Sequence, residues 1–262
     1  MKRLAVGATF LFAACAVAHA GLTQQQLGAV YADPTPDAQL PLSVQFTDTA
    51  GKRITLGEAV DGKPAVVVFA DYTCTTLCGP ILAFAAGGLE KTGLEAGRDF
   101  RLIVIGIDPK DSLADAHDMK ASHVGTGTAL AASTVMLTGK ADAIDAVTAA
   151  AGYHYAYDKA ADQFAHPAVA YVVTAQGRVS RVLSGLGLDA ADLRLALVDA
   201  GQGRVGTIAD RIRLLCYCFD PITGIYSASI SRIMLAAGVL TVIATAGGIS
   251  LLTFGIKRRA QS

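Results

Sequence analysis

Ala65-Val66-Val67-Val68-Phe69-Ala70-Asp71-Tyr72-Thr73-Cys74-Thr75-Thr76-Leu77-Cys78 runs from an uninterrupted apolar stretch into two cysteines four residues apart. Residues 65–70 are too uniformly apolar for a strand with one wet face, so they read as a central strand buried on both sides. A helix is expected from Cys74 to Leu94. There, free amides and the helix dipole would favour a thiolate near the helix start, and residues four apart would share one face. Two thiols on one turn suit a redox disulfide or a soft cation. A static disulfide is the plainer alternative, but so small a loop stabilises little.

Outward from this junction the pattern is strand, helix, strand, helix, strand, then hairpins and a helix. Leu42–Leu56 alternates around Thr49-Ala50-Gly51-Lys52, a hairpin signal. Phe100–Ile107 is a second buried strand, Ser112–Ser122 a helix, Thr134–Leu137 a third strand, and Asp142–Ala151 a helix. Tyr153–Tyr157 alternates as a hairpin arm with its tip at residues 158–162. Ala168–Thr174 and Arg178–Leu183 form the last hairpin, and Asp189–Ala200 ends at Gly201 as a closing helix. The fold class is therefore α/β, a central mixed sheet flanked by helices. Gly125-Thr126-Gly127 lacks the third glycine of a dinucleotide loop and follows no strand, so it is a plain loop.

The 262 residues are 52% hydrophobic and 17% charged, greasier than an ordinary soluble domain of ~25% charge. Two segments account for the excess. Met1–Ala20 has a basic start, an apolar stretch and a small-x-small end, the pattern of a signal peptide cleaved after Ala20. Lipidation at Cys15 is the alternative. Ile233–Ile256 contains no charged residue, which as helix at 1.5 Å per residue gives ~36 Å, enough to cross a ~30 Å hydrocarbon core. Lys257-Arg258-Arg259 follows and argues for a cytoplasmic tail over residues 257–262. Residues 21–41 form a linker, 42–203 the globular domain and 204–232 a juxtamembrane segment.

Lys plus Arg equal Asp plus Glu at 22 each, so no basic field marks a nucleic-acid binder. The exported part, Gly21–Arg232, carries about −5, favouring cations or a basic partner surface over anions.

His166 is the best third donor beside the two thiols, because it precedes a buried strand whose start would lie at the same sheet edge. Two soft donors and an imidazole suit copper, above all Cu(I), whereas structural zinc normally takes four protein ligands. A satisfied or surface histidine is the plain alternative. Cys216 and Cys218 either hold a second Cu(I) or pass copper towards a membrane partner, or are unpaired or aromatic-packed cysteines fixing the domain on its anchor. Asp108, ending a central strand, is either an auxiliary site residue or a turn cap before Pro109. His117 and His123 are six apart and share no helix face. Asp111, Asp115 and Asp118 read as a solvated face, and His154 as structural.

Residues 70–78, Ile105-Gly106-Ile107-Asp108-Pro109 and His166 ahead of Ala170-Tyr171-Val172-Val173 together resemble the Sco/SenC family of thioredoxin-like, membrane-anchored copper proteins. The resemblance covers about Leu42–Leu197. Three residues between the cysteines match the Sco pattern, whereas thioredoxin-type motifs have two. The resemblance implies copper ligation by Cys74, Cys78 and His166, a redox-active Cys74/Cys78 pair, and assembly of the copper centre of cytochrome c oxidase. The implied partners are the oxidase's copper-bearing subunit or another copper protein, and a thiol–disulfide partner. The implied place is a bacterial cell membrane with the main domain in the periplasm. Thr75 and Gly79 stand where family members often have proline, and the anchor is expected at the C-terminus where many members have it near the N-terminus. A thiol–disulfide oxidoreductase acting through Cys74 and Cys78 is the rival enzyme reading, and a tethered assembly factor without chemistry is a third. Thioredoxin-like folds also place a cis proline near Pro167, set against a frequency of only ~5–6% for cis X–Pro bonds.

Overall fold

The structure is a computed structural model that describes residues 22–74, 78–185, 188–201, 217–220, 225–228, 238–241, 243 and 245. It opens with helix α1 (Gln24–Leu27) and strand β1 (Tyr31–Ala32), then the hairpin β2 (Gln45–Asp48) and β3 (Arg53–Thr55). Asp48 shapes that turn, its Oδ1 accepting from the Ala50 and Lys52 N–H groups at 2.9 Å each. Thr55 caps helix α2 (Leu56–Val60) in a reciprocal box with Glu58. At five residues α2 is too short to show helical periodicity, which is why the sequence pattern missed it.

Next come β4 (Ala65–Ala70), α3 (Cys78–Glu90), β5 (Arg101–Gly106), α4 (Leu113–His123), α5 (Ala129–Ser133), β6 (Val135–Thr138) and α6 (Ala141–Ala150). The short strands β7 (Tyr153–His154), β8 (Ala156–Asp158) and β9 (Gln163–Ala165) lead to β10 (Val169–Val173), β11 (Val179–Ser184) and α7 (Ala190–Ala200). A separate hairpin joins β12 (Tyr217–Asp220) to β13 (Ile225–Ala228). The expected 153–157 arm divides its pairing: β7 pairs with β1, whereas β8 pairs with β9.

The main sheet has the order β11-β10-β4-β5-β6-β2-β3. Strands β4, β5 and β6 are parallel, and β10 runs antiparallel to β4. All six β4 residues are buried because the sheet is covered on both faces. Val66 and Val68 join Leu82, Leu89, Leu193 and Leu197 under α3 and α7, while Val67 and Phe69 join Leu56, Val60, Ile144 and Val147 under α2 and α6. Each such side chain contributes about 1.5–3 kcal/mol through burial. Val67→Asp would bury an unpaired carboxylate and break this layer.

Residues 33–40, read from sequence as part of a linker, lie against the domain. The Asp33 N–H donates to Gly152 O at 2.8 Å, the Leu40 N–H to Gly177 O at 2.9 Å, and Leu40 is buried. No cis peptide bond occurs among the described residues, so His166–Pro167 is trans. Among the described residues no helix is long and apolar enough to cross a membrane. Most of 233–256 lies outside them, as do residues 1–20 with Cys15, and Cys216.

Candidate metal centre

At the end of β4 the chain turns sharply. The Cys74 N–H donates to Asp71 O at 3.2 Å, while Asp71 Oδ1 accepts from Thr73 N at 3.0 Å and Thr73 Oγ1 at 2.9 Å. Tyr72 is buried against the sheet, its hydroxyl between Val104 O (3.0 Å) and Leu137 O (2.9 Å). Helix α3 is described over Cys78–Glu90, with Pro80 near the beginning of that span, and Cys74, expected as its first residue, is not helical. Cys74 is consequently a half-buried loop residue rather than the first residue of the helix. Cys78 is buried.

The expected lowering of the cysteine pKa at a helix start does not hold for Cys78. Contact with the Cys74 thiol, then burial, push the Cys78 thiol far up. A helix terminus supplies about 0.3–1 kcal/mol, whereas burial shifts a thiol by several units, so burial and the neighbour win.

His166 arrives by sheet register. Strand β10 pairs antiparallel with β4 from Ala170↔Val68 to Val173↔Ala65, so the segment just before β10, with His166, approaches the end of β4 that leads to the cysteines. Its Nε2 lies 2.6 Å from Cys78 Sγ, and its Nδ1 lies 2.7 Å from the Tyr153 hydroxyl, which in turn reaches Pro167 O at 3.2 Å. Nδ1 also lies 3.2 Å from Pro167 O, which can only accept, so the contacts fit the tautomer with the proton on Nδ1 and the Nε2 lone pair towards sulfur. Burial lowers the His166 pKa, keeping the ring neutral near pH 7.

The donors fit a soft cation. Two thiols and a neutral imidazole with its lone pair inward are the ligands copper prefers. Among the described residues they do not form a closed cage of three ligands; they form a hydrogen-bonded set. His166 Nε2 and Cys78 Sγ are in direct contact at 2.6 Å, and metal binding would require loss of the thiol proton.

The other residues singled out in the sequence have the following surroundings. Asp108 Oδ1 accepts from the Lys110 N–H at 2.8 Å, a turn cap at the end of β5. Asp111 is no solvated residue: it is buried, its Oδ2 accepts the Tyr72 N–H at 3.0 Å, and burial raises its pKa to about 7. Asp115 forms a capping box with Ser112, and Asp118 is exposed beside His117. His154 stacks on Tyr31 with ring centroids 4.3 Å apart. His123 lies over Gly79, where a Cβ would come within 2.4 Å of its ring, so the residue after Cys78 is small because α4 crosses there. Cys218 sits in β12, opposite Ser227.

Two residues at the site escaped the sequence reading. Tyr153 was visible only as one member of an alternating tyrosine run. Asp71 was visible as the first charge after six apolar residues, with no sign of its partners.

A sheet of this order, with two cysteines after its first central strand and a histidine ahead of the antiparallel neighbour, defines a thioredoxin-like protein carrying a thiol–imidazole site. The SCO1/SenC family pattern matches residues 32–196. The chain belongs to that family. No curated protein sequence matches it. Among solved structures, a protein of Aquifex aeolicus VF5 described provisionally as an electron transfer protein is similar at 20% identity and a TM-score of 0.55, covering 63% of this chain and 94% of that one. BsSco, a Sco-family cytochrome c oxidase assembly protein with a disulfide switch, is 20% identical with a TM-score of 0.53, covering 66% and 98%. Arabidopsis thaliana ScoI, solved with copper bound, is 21% identical with a TM-score of 0.50, covering 60% and 94%.

Proposed function

We propose that this protein binds copper through Cys74, Cys78 and His166 and serves assembly of the copper centre of cytochrome c oxidase. The observation that carries this reading is the approach of His166 Nε2 to within 2.6 Å of Cys78 Sγ, with Tyr153 and Pro167 O on the Nδ1 side of the ring. Family membership supports it, as does the copper bound by Arabidopsis ScoI. Copper is cargo here: its arrival displaces the thiol protons, and His166 exchanges a sulfur proton for the metal without losing its own Nδ1 proton. Reduced protein should be titrated with Cu(I) and Cu(II) alongside Cys74→Ala, Cys78→Ala and His166→Ala. Similar losses in all three variants support the reading; unchanged binding in His166→Ala removes the histidine from the site.

The oxidoreductase reading is favoured by one feature, the contact between Cys74 and the buried Cys78 thiol. In that chemistry Cys74, the more accessible sulfur, attacks a partner disulfide and Cys78 resolves it. Exchange activity that survives His166→Ala would select this reading.

The proposal includes export directed by residues 1–20, a periplasmic domain, and an anchor at 233–256 ahead of a cytoplasmic tail. Exposed Val239, Leu240 and Ile243 within that segment support the anchor. A reporter fused after Ser262 should be active in the cytoplasm only; periplasmic activity would overturn the topology.

A further inference from the structure

We propose that Asp71 is a positioning residue of this site: one carboxylate grips the cysteine loop with one oxygen and the strand leading to His166 with the other. Asp71 is fully buried. Its Oδ1 accepts from Thr73 N and Oγ1, in the residue before Cys74. Its Oδ2 accepts from Phe164 N at 3.0 Å, two residues before His166. The two halves of the site are far apart in sequence, and this side chain ties them across 93 residues.

The chemistry calls for a carboxylate. All three partners donate, so both oxygens accept, and an acid side chain offers an acceptor on each arm. An asparagine keeps one acceptor and turns an NH₂ towards an N–H, losing one grip.

The copper readout of this proposal rests on the function proposed above. Cu(I) should be titrated against a competing chelator on the reduced full chain as wild type, Asp71→Asn, His166→Ala and the double variant. Asp71→Asn should weaken Cu(I) binding about 10–100-fold, as loss of a group that orients ligands does. In the His166→Ala background the same change should cost far less, because the ring it places is already gone. Equal losses in both backgrounds overturn the proposal. Amide hydrogen exchange gives a copper-independent reading. Phe164 N–H should be protected in the wild type and exchange at least tenfold faster in Asp71→Asn. An unprotected Phe164 amide in the wild type overturns the clamp, and that result needs no variant to fold. A wild type that fails to bind Cu(I) overturns the copper reading, and exchange at Phe164 then decides the clamp by itself.

Discussion

Tyr153→Phe removes one oxygen and little else. The ring of Tyr153 is buried, with its centroid 4.5 Å from that of Phe69, and phenylalanine keeps that packing. What disappears is the acceptor 2.7 Å from His166 Nδ1 and the donor 3.2 Å from Pro167 O. Groups of this kind, behind a metal-bound imidazole, typically account for 10–100-fold in metal affinity. Here Nδ1 also lies 3.2 Å from Pro167 O, a second acceptor that can hold the ring once the hydroxyl is gone. The loss should therefore fall near the lower end, about tenfold in Cu(I) affinity or ~1.4 kcal/mol. Folding stability should drop by about 1 kcal/mol, the net worth of one hydrogen bond. Chelator competition on reduced protein measures the first quantity, and thermal unfolding of the copper-free protein the second. Cu(I) affinity equal to wild type, in a protein that unfolds normally, would refute the tautomer assignment and the role given to Tyr153.

Burial raises Asp111 to about 7, so between its unfolded value near 4 and pH 7 the folded state binds the extra proton and stability falls as pH rises. Asp111→Asn should thus stabilise the protein at pH 8, by at most about 4 kcal/mol at ~1.36 kcal/mol per unit, and by almost nothing at pH 4; denaturant melts at both pH values check this. On helix α3, Gly88→Ala would set a Cβ 2.3 Å from Leu188 O and should lower the melting temperature. Gly87→Ala has open space around its Cβ and should raise stability by about 0.5–1 kcal/mol through helix propensity. Oxidation of Cys74 and Cys78 to a disulfide leaves no thiolates, so Cu(I) affinity should collapse and return on reduction; equal affinity in both states would place copper elsewhere. In the reduced protein, Cu(I) affinity should rise with pH by about tenfold per unit for each thiol proton displaced, read from titrations between pH 6 and 8.

The sequence by itself determined the elements whose signal is local. The apolar run at 65–70 and that at 100–107 declared central strands, because a strand buried on both faces needs no polar alternation. Ser112 and Asp189 marked real helix starts, since a side-chain cap acts on amides only two or three residues away. The spacing of Cys74 and Cys78 and the resemblance around them carried the family. Where packing or distant partners decide, the sequence was silent or misleading. Cys74 lies outside the helical residues of α3, and Cys78 is held as a thiol by its neighbour Cys74 and by burial, against the pull of a helix terminus. Asp111 carries the same charge as Asp115 yet is buried beneath Tyr72 N–H, a distinction no pattern of charges records. Only the fold brings His166 to Cys78, Tyr153 behind its ring and Asp71 to Phe164. Capping and strand burial act over a few residues and are written in the adjoining sequence. A hydrogen bond between residues dozens of positions apart exists only once the sheet has fixed their separation.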